Sequence, residues 1–207
     1  MSSRVVVVAL QGDVSEHVDA AKAALATLPG GDKWVVTTAT KPEEVGAADL
    51  IVLPGGESTT IGKLLVETCL LDVIRDKCCE GVGILGTCAG LVLLASEGDE
   101  SVRRTGQPLI GLLDIKVRRN AFGRQKESFE APVEMPCLGS EPFPGVFIRA
   151  PVVEKVWGRA RPIAFLDDKI VGVEQDNIVA VAFHPELTDD PRLHRYVFGK
   201  VLKLSCD

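Results

Sequence analysis

Gly81-Val82-Gly83-Ile84-Leu85-Gly86-Thr87-Cys88-Ala89-Gly90-Leu91 is the stretch whose reading decides the fold. An apolar run reaches a cysteine with a glycine two residues away on either side, and Leu91-Val92-Leu93-Leu94-Ala95 follows. Read physically, Val82 to Leu85 is a buried strand, Cys88 the tip of a sharp turn, and Ala89 to Ala95 the start of a helix. The glycines permit a tight turn and leave no Cβ to crowd the thiol. This G-x-C-x-G has the form of the G-x-S-x-G nucleophile elbow, with sulfur in place of oxygen. A cysteine at a helix N-terminus gains thiolate stabilisation from unpaired amides and the helix dipole. The plain alternative is a small core thiol in a glycine-rich turn. The rest of the chain must decide between them.

Outward from the elbow, strands and helices alternate. Val5-Val6-Val7-Val8-Ala9-Leu10 reads as a strand covered on both faces. Val14 to Leu28 reads as a helix, with Val18, Ala21, Leu25 and Leu28 on its apolar face and Pro29-Gly30-Gly31 as its stop. Trp34 to Thr38 and Leu50 to Leu53 are further strands, with a short helix or loop over Lys41 to Ala48 between them. Ser58 is expected to cap a helix reaching Leu65, and Leu71 to Cys79 forms another. The pattern predicts an α/β fold, a mostly parallel open sheet flanked by helices. After Gly98 the runs become short and alternating: Leu112–Arg119, Ala131–Met135, Gly145–Arg149, Pro162–Leu166 and Ile170–Glu174. They predict a small antiparallel annex. Ile178 to Phe183 is again fully apolar and delivers His184-Pro185-Glu186, and a helix closes the chain from Pro191 to Lys203.

The 207 residues suffice for one core, so residues 1–207 are expected to form one domain. A net charge of −6, with no dense basic run beyond Lys116 to Lys126, argues against nucleic acid as partner. No apolar stretch approaches a membrane span, and Arg4 to Val8 is too short for a signal segment. Cytoplasmic location and no membrane partner are expected. The six cysteines (Cys69, Cys78, Cys79, Cys88, Cys137, Cys206) follow no secreted-domain spacing, and free thiols are expected. There is no C-x-x-C and the histidines are scattered, so no metal and no cofactor are expected.

Ligands of open parallel sheets bind beyond the carboxyl ends of the strands. Three candidate segments lie at such ends: Leu53-Pro54-Gly55-Gly56-Glu57-Ser58, Gly86-Thr87-Cys88-Ala89-Gly90 and His184-Pro185-Glu186. If their strands are neighbours, they share one crevice. Cys88 is then the nucleophile, His184 the base, and Glu186 the group that orients the imidazole. Backbone amides around Gly56 and Ala89 are candidate oxyanion donors, and Gly55-Gly56 lets a substrate approach closely. Arg119, Arg149 and Glu57 could grip the charged ends of an amino acid. Taken singly, each piece has a structural explanation: a turn, a helix cap, a solvated strand-end charge. Together they supply nucleophile, base, orienter and donors for acyl transfer.

These residues resemble the class I triad glutamine amidotransferases. Leu10-Gln11-Gly12, Leu53 to Thr60, Arg119-Asn120-Ala121-Phe122-Gly123-Arg124-Gln125, Ser128-Phe129-Glu130, Phe147 to Pro151 and Phe183 to Thr188 are similar to the glutaminase subunit of pyridoxal 5′-phosphate synthase. The likeness runs from Val5 to Phe198. It implies a flavodoxin-like fold and hydrolysis of L-glutamine to glutamate and ammonia. It also implies delivery of the ammonia to a partner synthase, a (β/α)8 barrel that builds pyridoxal 5′-phosphate from two sugar phosphates. By this resemblance Cys88, His184 and Glu186 form the triad, and Gly55, Gly56, Glu57, Ser58, Arg119, Ile148 and Arg149 contact glutamine. Gln11 falls where the family places interface contacts. Two alternatives stand beside this reading: the glutaminase of another synthase, such as imidazole glycerol phosphate synthase, and a non-catalytic thiol-based binding or redox module.

Overall fold

Four consecutive valines, Val5 to Val8, are almost wholly buried and form an interior strand of the parallel sheet. The computed structural model describes residues 3–122 and 128–202; Gly123 to Lys126, Lys203 and Cys206, which entered the sequence reading, lie outside them. In chain order the first half holds β1 (Ser3–Val8), α1 (Val14–Ala26), β2 (Trp34–Ala39), α2 (Pro42–Gly46), β3 (Leu50–Leu53), α3 (Ser58–Glu67), α4 (Leu70–Cys79), β4 (Gly83–Thr87), α5 (Ala89–Leu94), β5 (Ala95–Gly98) and α6 (Glu100–Thr105). The second half holds β6 (Leu113–Arg118), β7 (Ser128–Val133), β8 (Phe143–Ile148), β9 (Val152–Val156), β10 (Arg161–Leu166), β11 (Lys169–Gln175), β12 (Ile178–Val181) and α7 (Arg192–Leu202).

Ten strands share one sheet in the order β2-β1-β3-β4-β12-β11-β9-β6-β5, with β10 paired to β11. The run from β2 to β12 is parallel throughout. Every residue of β3, β4 and β12 is buried, as expected of strands covered on both faces. The registers Leu53↔Gly86 and Val181↔Thr87 bring the ends of β3, β4 and β12 level. That alignment is what gathers the three candidate segments.

The antiparallel annex expected after Gly98 is present, and most of its strands are appended to the central sheet itself. β9, β10 and β11 continue the central sheet in antiparallel pairing, and only β7 and β8 form a small sheet of their own. β11 is buried on both faces from Val171 to Gln175, so it belongs to the interior. β6 does alternate as read, with Leu113, Ile115 and Val117 buried. β5, α6 and β9 were not foreseen. The helix after the elbow ends at Leu94, and Ala95 turns the chain directly into β5. The β7–β8 hairpin is held over the end of β12 by fully buried Phe143 and Phe147, each 5.6 Å by ring centroid from Phe183. The amide of His184 donates to the Val146 carbonyl at 2.8 Å, locking hairpin and strand end together. Among the described residues no helix is long and apolar enough to cross a membrane.

Candidate active site

The elbow is built as its glycines require. Cys88 sits at φ 47°, ψ −98°, a conformation that costs about 1–3 kcal/mol for a non-glycine residue and persists only where its surroundings dictate it. Its amide donates to Val181 of β12 at 2.8 Å, and Leu91 to Leu94 behind it are buried. Burial of each such leucine or valine contributes about 1.5–3 kcal/mol, enough to hold the strained turn. A Cβ on Gly90 would lie 2.3 Å from the Leu53 carbonyl oxygen, so this glycine sets how closely α5 packs on β3. The Cys88 sulfur is 3.8 Å from the Ile148 carbonyl oxygen and only slightly exposed.

His184 lies across the crevice from the elbow. A Cβ on Gly55 would come within 2.4 Å of its Cε1, so the imidazole rests on a backbone with no side chain there. Its Nδ1 is 2.7 Å from Glu186 Oε1 and 3.2 Å from Asp13 Oδ2, while its Nε2 has no hydrogen-bond partner among the described residues. Burial alone would lower its pKa. The neighbouring Cys88 and the Glu186 carboxylate outweigh burial and raise it to about 10. For Glu186, burial works to raise the pKa, but hydrogen bonds from His17 and His184 bring it down to about 2. Asp13, His184 and Glu186 set their ligand atoms within 4.8 Å of one another. Because Nδ1 is already committed to Glu186, the cluster functions here as an imidazole held by carboxylates.

A cavity of about 280 Å³ opens in front of these groups. Gly56, Glu57, Ser58, Cys88, Ala89, Arg119, Ile148, Arg149 and His184 line it, joined by Gln11, Asp13, Asn120, Val92 and Pro151. Of the candidate site residues singled out in the sequence, Gly55 and Glu186 are not in the wall: Gly55 lies against His184, and Glu186 is buried behind it, held to His184 Nδ1. Glu57, rather than Ser58, caps α3: its carboxylate accepts from the amides of Thr59 and Thr60. Burial works against ionisation of Glu57, yet those hydrogen bonds and Arg119 hold its pKa below the ordinary carboxylate value. Ser58 is buried and donates its hydroxyl to Gln107 Oε1 at 3.1 Å. Arg119 is tied at 3.0 Å to Thr59, Gln107 and Glu57. Arg149 is exposed, at φ 43°, with no side-chain ion pair among the described residues. Gln11 accepts from the Glu57 amide at 2.8 Å and lies flat against Gly56.

Sequence reasoning missed Asp13, His17, Thr87 and Gln107. Gln107 lies in a connecting loop with no pattern to mark it. His17 did leave a signal, four residues before Ala21 on the buried face of α1, which comprises His17, Ala21, Ala24 and Leu25.

A family model described as the SNO glutamine amidotransferase family matches residues 7–203. A protein of Thermococcus onnurineus named "Pyridoxal 5'-phosphate synthase subunit PdxT" is 50% identical over 202 residues, 96% of this chain and 99% of the relative. A Methanosarcina barkeri protein of the same name is 50% identical over 200 residues, 95% of this chain and 97% of its own. A crystal structure described as a glutamine amidotransferase superposes with a TM-score of 0.84 at 43% identity, covering 95% of this chain and 98% of that one. A Thermotoga maritima glutamine amidotransferase shares the fold at 16% identity, TM-score 0.63, over 94% of this chain and 89% of its own.

Proposed function

The chain belongs to the SNO glutamine amidotransferase family, and from that premise we propose that it is the glutaminase subunit of a cytoplasmic pyridoxal 5′-phosphate synthase. It hydrolyses L-glutamine with Cys88, His184 and Glu186 and passes ammonia to a synthase barrel. The observation that carries the reading is the state of His184. Nδ1 is held by Glu186, Nε2 has no hydrogen-bond partner among the described residues, and Cys88 stands beside the ring. An imidazole so placed takes the thiol proton and returns it to a leaving group.

The Cys88 sulfur attacks the side-chain amide carbon of glutamine, and the C=O π pair moves onto oxygen. Backbone amides of Gly56 and Ala89, both on the cavity wall, are the donors we assign to that oxyanion. Collapse of the intermediate breaks the C–N bond as His184 Nε2–H protonates nitrogen, releasing ammonia and leaving a γ-glutamyl thioester. Water then adds to the thioester while His184 accepts its proton, and glutamate departs as the thiol re-forms. Arg149, exposed and without a side-chain ion pair among the described residues, binds the substrate α-carboxylate. Arg119 and Glu57, tied to each other, shape the wall beside it.

The curated relatives bear the synthase-subunit name at half identity over nearly full length, which favours this reading over another synthase or a thiol sensor. Glutamate release from L-glutamine, measured with and without a cognate synthase barrel, tests it. Weak turnover alone, strong stimulation by the barrel, and loss in Cys88→Ala are expected. Full turnover by Cys88→Ala would remove the nucleophile assignment, and indifference to the barrel would remove the partner.

A further inference from the structure

A third titratable side chain stands behind the triad, and the reaction as derived above makes no use of it. His17, on α1, has a fully buried side chain. Its Nε2 is 2.9 Å from Thr87 Oγ1 and 3.4 Å from Glu186 Oε1, the same oxygen that lies 2.7 Å from His184 Nδ1. Glu186 Oε2 has no hydrogen-bond partner, so among the described residues His17 and His184 are the groups that hold this carboxylate. Thr87 immediately precedes Cys88. One imidazole therefore touches both the strand end that carries the thiol and the carboxylate that orients the base.

Burying an imidazole is unfavourable unless its nitrogens find partners, and an apolar side chain would fill the same space without that cost. Among the described residues His17 Nδ1 has no partner, so what the burial secures is the placement of Nε2. Facing a carboxylate oxygen, Nε2 carries the proton, because a bare nitrogen lone pair would be repelled there. We propose that His17 is a positioning residue for glutamine hydrolysis: its Nε2–H, set between Thr87 and Glu186, fixes the carboxylate that orients His184 and couples it to the nucleophile's strand. The proposal rests on the glutaminase reading given above. The other groups around this chain of contacts are Asp13 at the mouth, Cys88 at the elbow and His194 on α7, whose ring centroid is 6.4 Å from that of His17. Burial, with His17 adding to it, lowers His194 to about 4, so it brings no positive charge near neutral pH.

The test compares two substitutions of similar reach in the full chain assembled with its synthase barrel. His17→Met removes the donor, whereas His17→Gln keeps an N–H where Nε2 was. In His17→Met, kcat for glutamate release should fall about 10–100-fold with KM within about threefold, by analogy with the loss of outer-shell partners elsewhere. His17→Gln should recover most of it. In the chain without glutamine, NMR titration of His184 should move to lower pH by about one unit in His17→Met, because a loosened carboxylate supports the imidazolium less. The titration shift depends on neither substrate nor barrel. A wild type that releases no glutamate would therefore overturn the glutaminase reading while leaving His17 tested. Equal losses in the Met and Gln variants with an unmoved His184 titration would reduce His17 to packing and overturn the proposal. Should His17→Met fail to fold, Thr87→Val removes one of the two anchors from an intact His17. A fall in kcat of several-fold supports the proposal, and unchanged kcat overturns it.

Discussion

The back and the front of this site are built on opposite terms. At the back, His17, His184 and Glu186 are buried, with side-chain exposures of 0%, 3% and 0%, and they hold one another at 2.7 to 3.4 Å. At the front, Arg149 is exposed with no side-chain ion pair among the described residues, Gly56 presents bare backbone, and Gln11 is attached by a hydrogen bond to the Glu57 amide. The back has its charges and geometry fixed in advance, as electrostatic catalysis requires. The front leaves space and an uncompensated guanidinium for something to fill. The difference teaches that reactivity and recognition are separable here, and each can be broken without the other.

Breaking the back should cost most. Glu186→Gln leaves the shape intact but replaces the charge that holds His184 Nδ1, and kcat should drop about 10²–10⁴-fold, the range seen when a triad acid is made neutral. Steady-state glutamate release would show it, and a change below threefold would contradict the role. Gly55→Ala strikes the seam between back and front. The new Cβ would sit 2.4 Å from His184 Cε1, and an imidazole displaced by about 1 Å should cost about 10²-fold in kcat. Circular dichroism should meanwhile remain native.

Breaking the front should act on binding. Arg149→Ala removes a charge-assisted hydrogen bond worth about 1.5–3 kcal/mol, so KM for glutamine should rise about 10–100-fold with kcat little altered. An equal fall in kcat would instead make the arginine part of the catalytic machinery.

The smallest effect is on stability against pH. Glu186 is lowered from 4.5 to about 2, so its contribution is complete above pH 4.5 and is lost as pH falls toward 2. His184 is raised from 6.5 to about 10, so its contribution is complete below pH 6.5 and is lost as pH rises toward 10. Thermal melting should therefore plateau between roughly pH 4.5 and 6.5 as far as this pair is concerned. Glu186→Gln should flatten both flanks of that profile.

The parts legible in the sequence are those whose chemistry is local. The Gly-x-Cys-x-Gly turn, the apolar runs of β1, β3, β4 and β12, and the segments after β3 and β12 each carry their meaning within a few residues. What stayed hidden depends on long-range pairing. Val152 to Val156 looks like a fragment of connecting chain until β6 and β11 lie beside it. Glu57 took the helix cap from Ser58 because its longer side chain folds back onto the amides of Thr59 and Thr60, leaving the shorter hydroxyl for Gln107. His17 gains its significance from Glu186, which only the assembled sheet brings to its side.

The central claim is that the Cys88 sulfur and the buried Glu186 carboxylate together keep His184 protonated. NMR titration of the His184 imidazole in the wild-type chain, with Glu186→Gln as control, tests it most directly. The ring should remain charged well above pH 8 in the wild type and lose the part of that shift that Glu186 supplies in the variant. A wild-type midpoint near 6.5, unmoved by the substitution, would contradict the account.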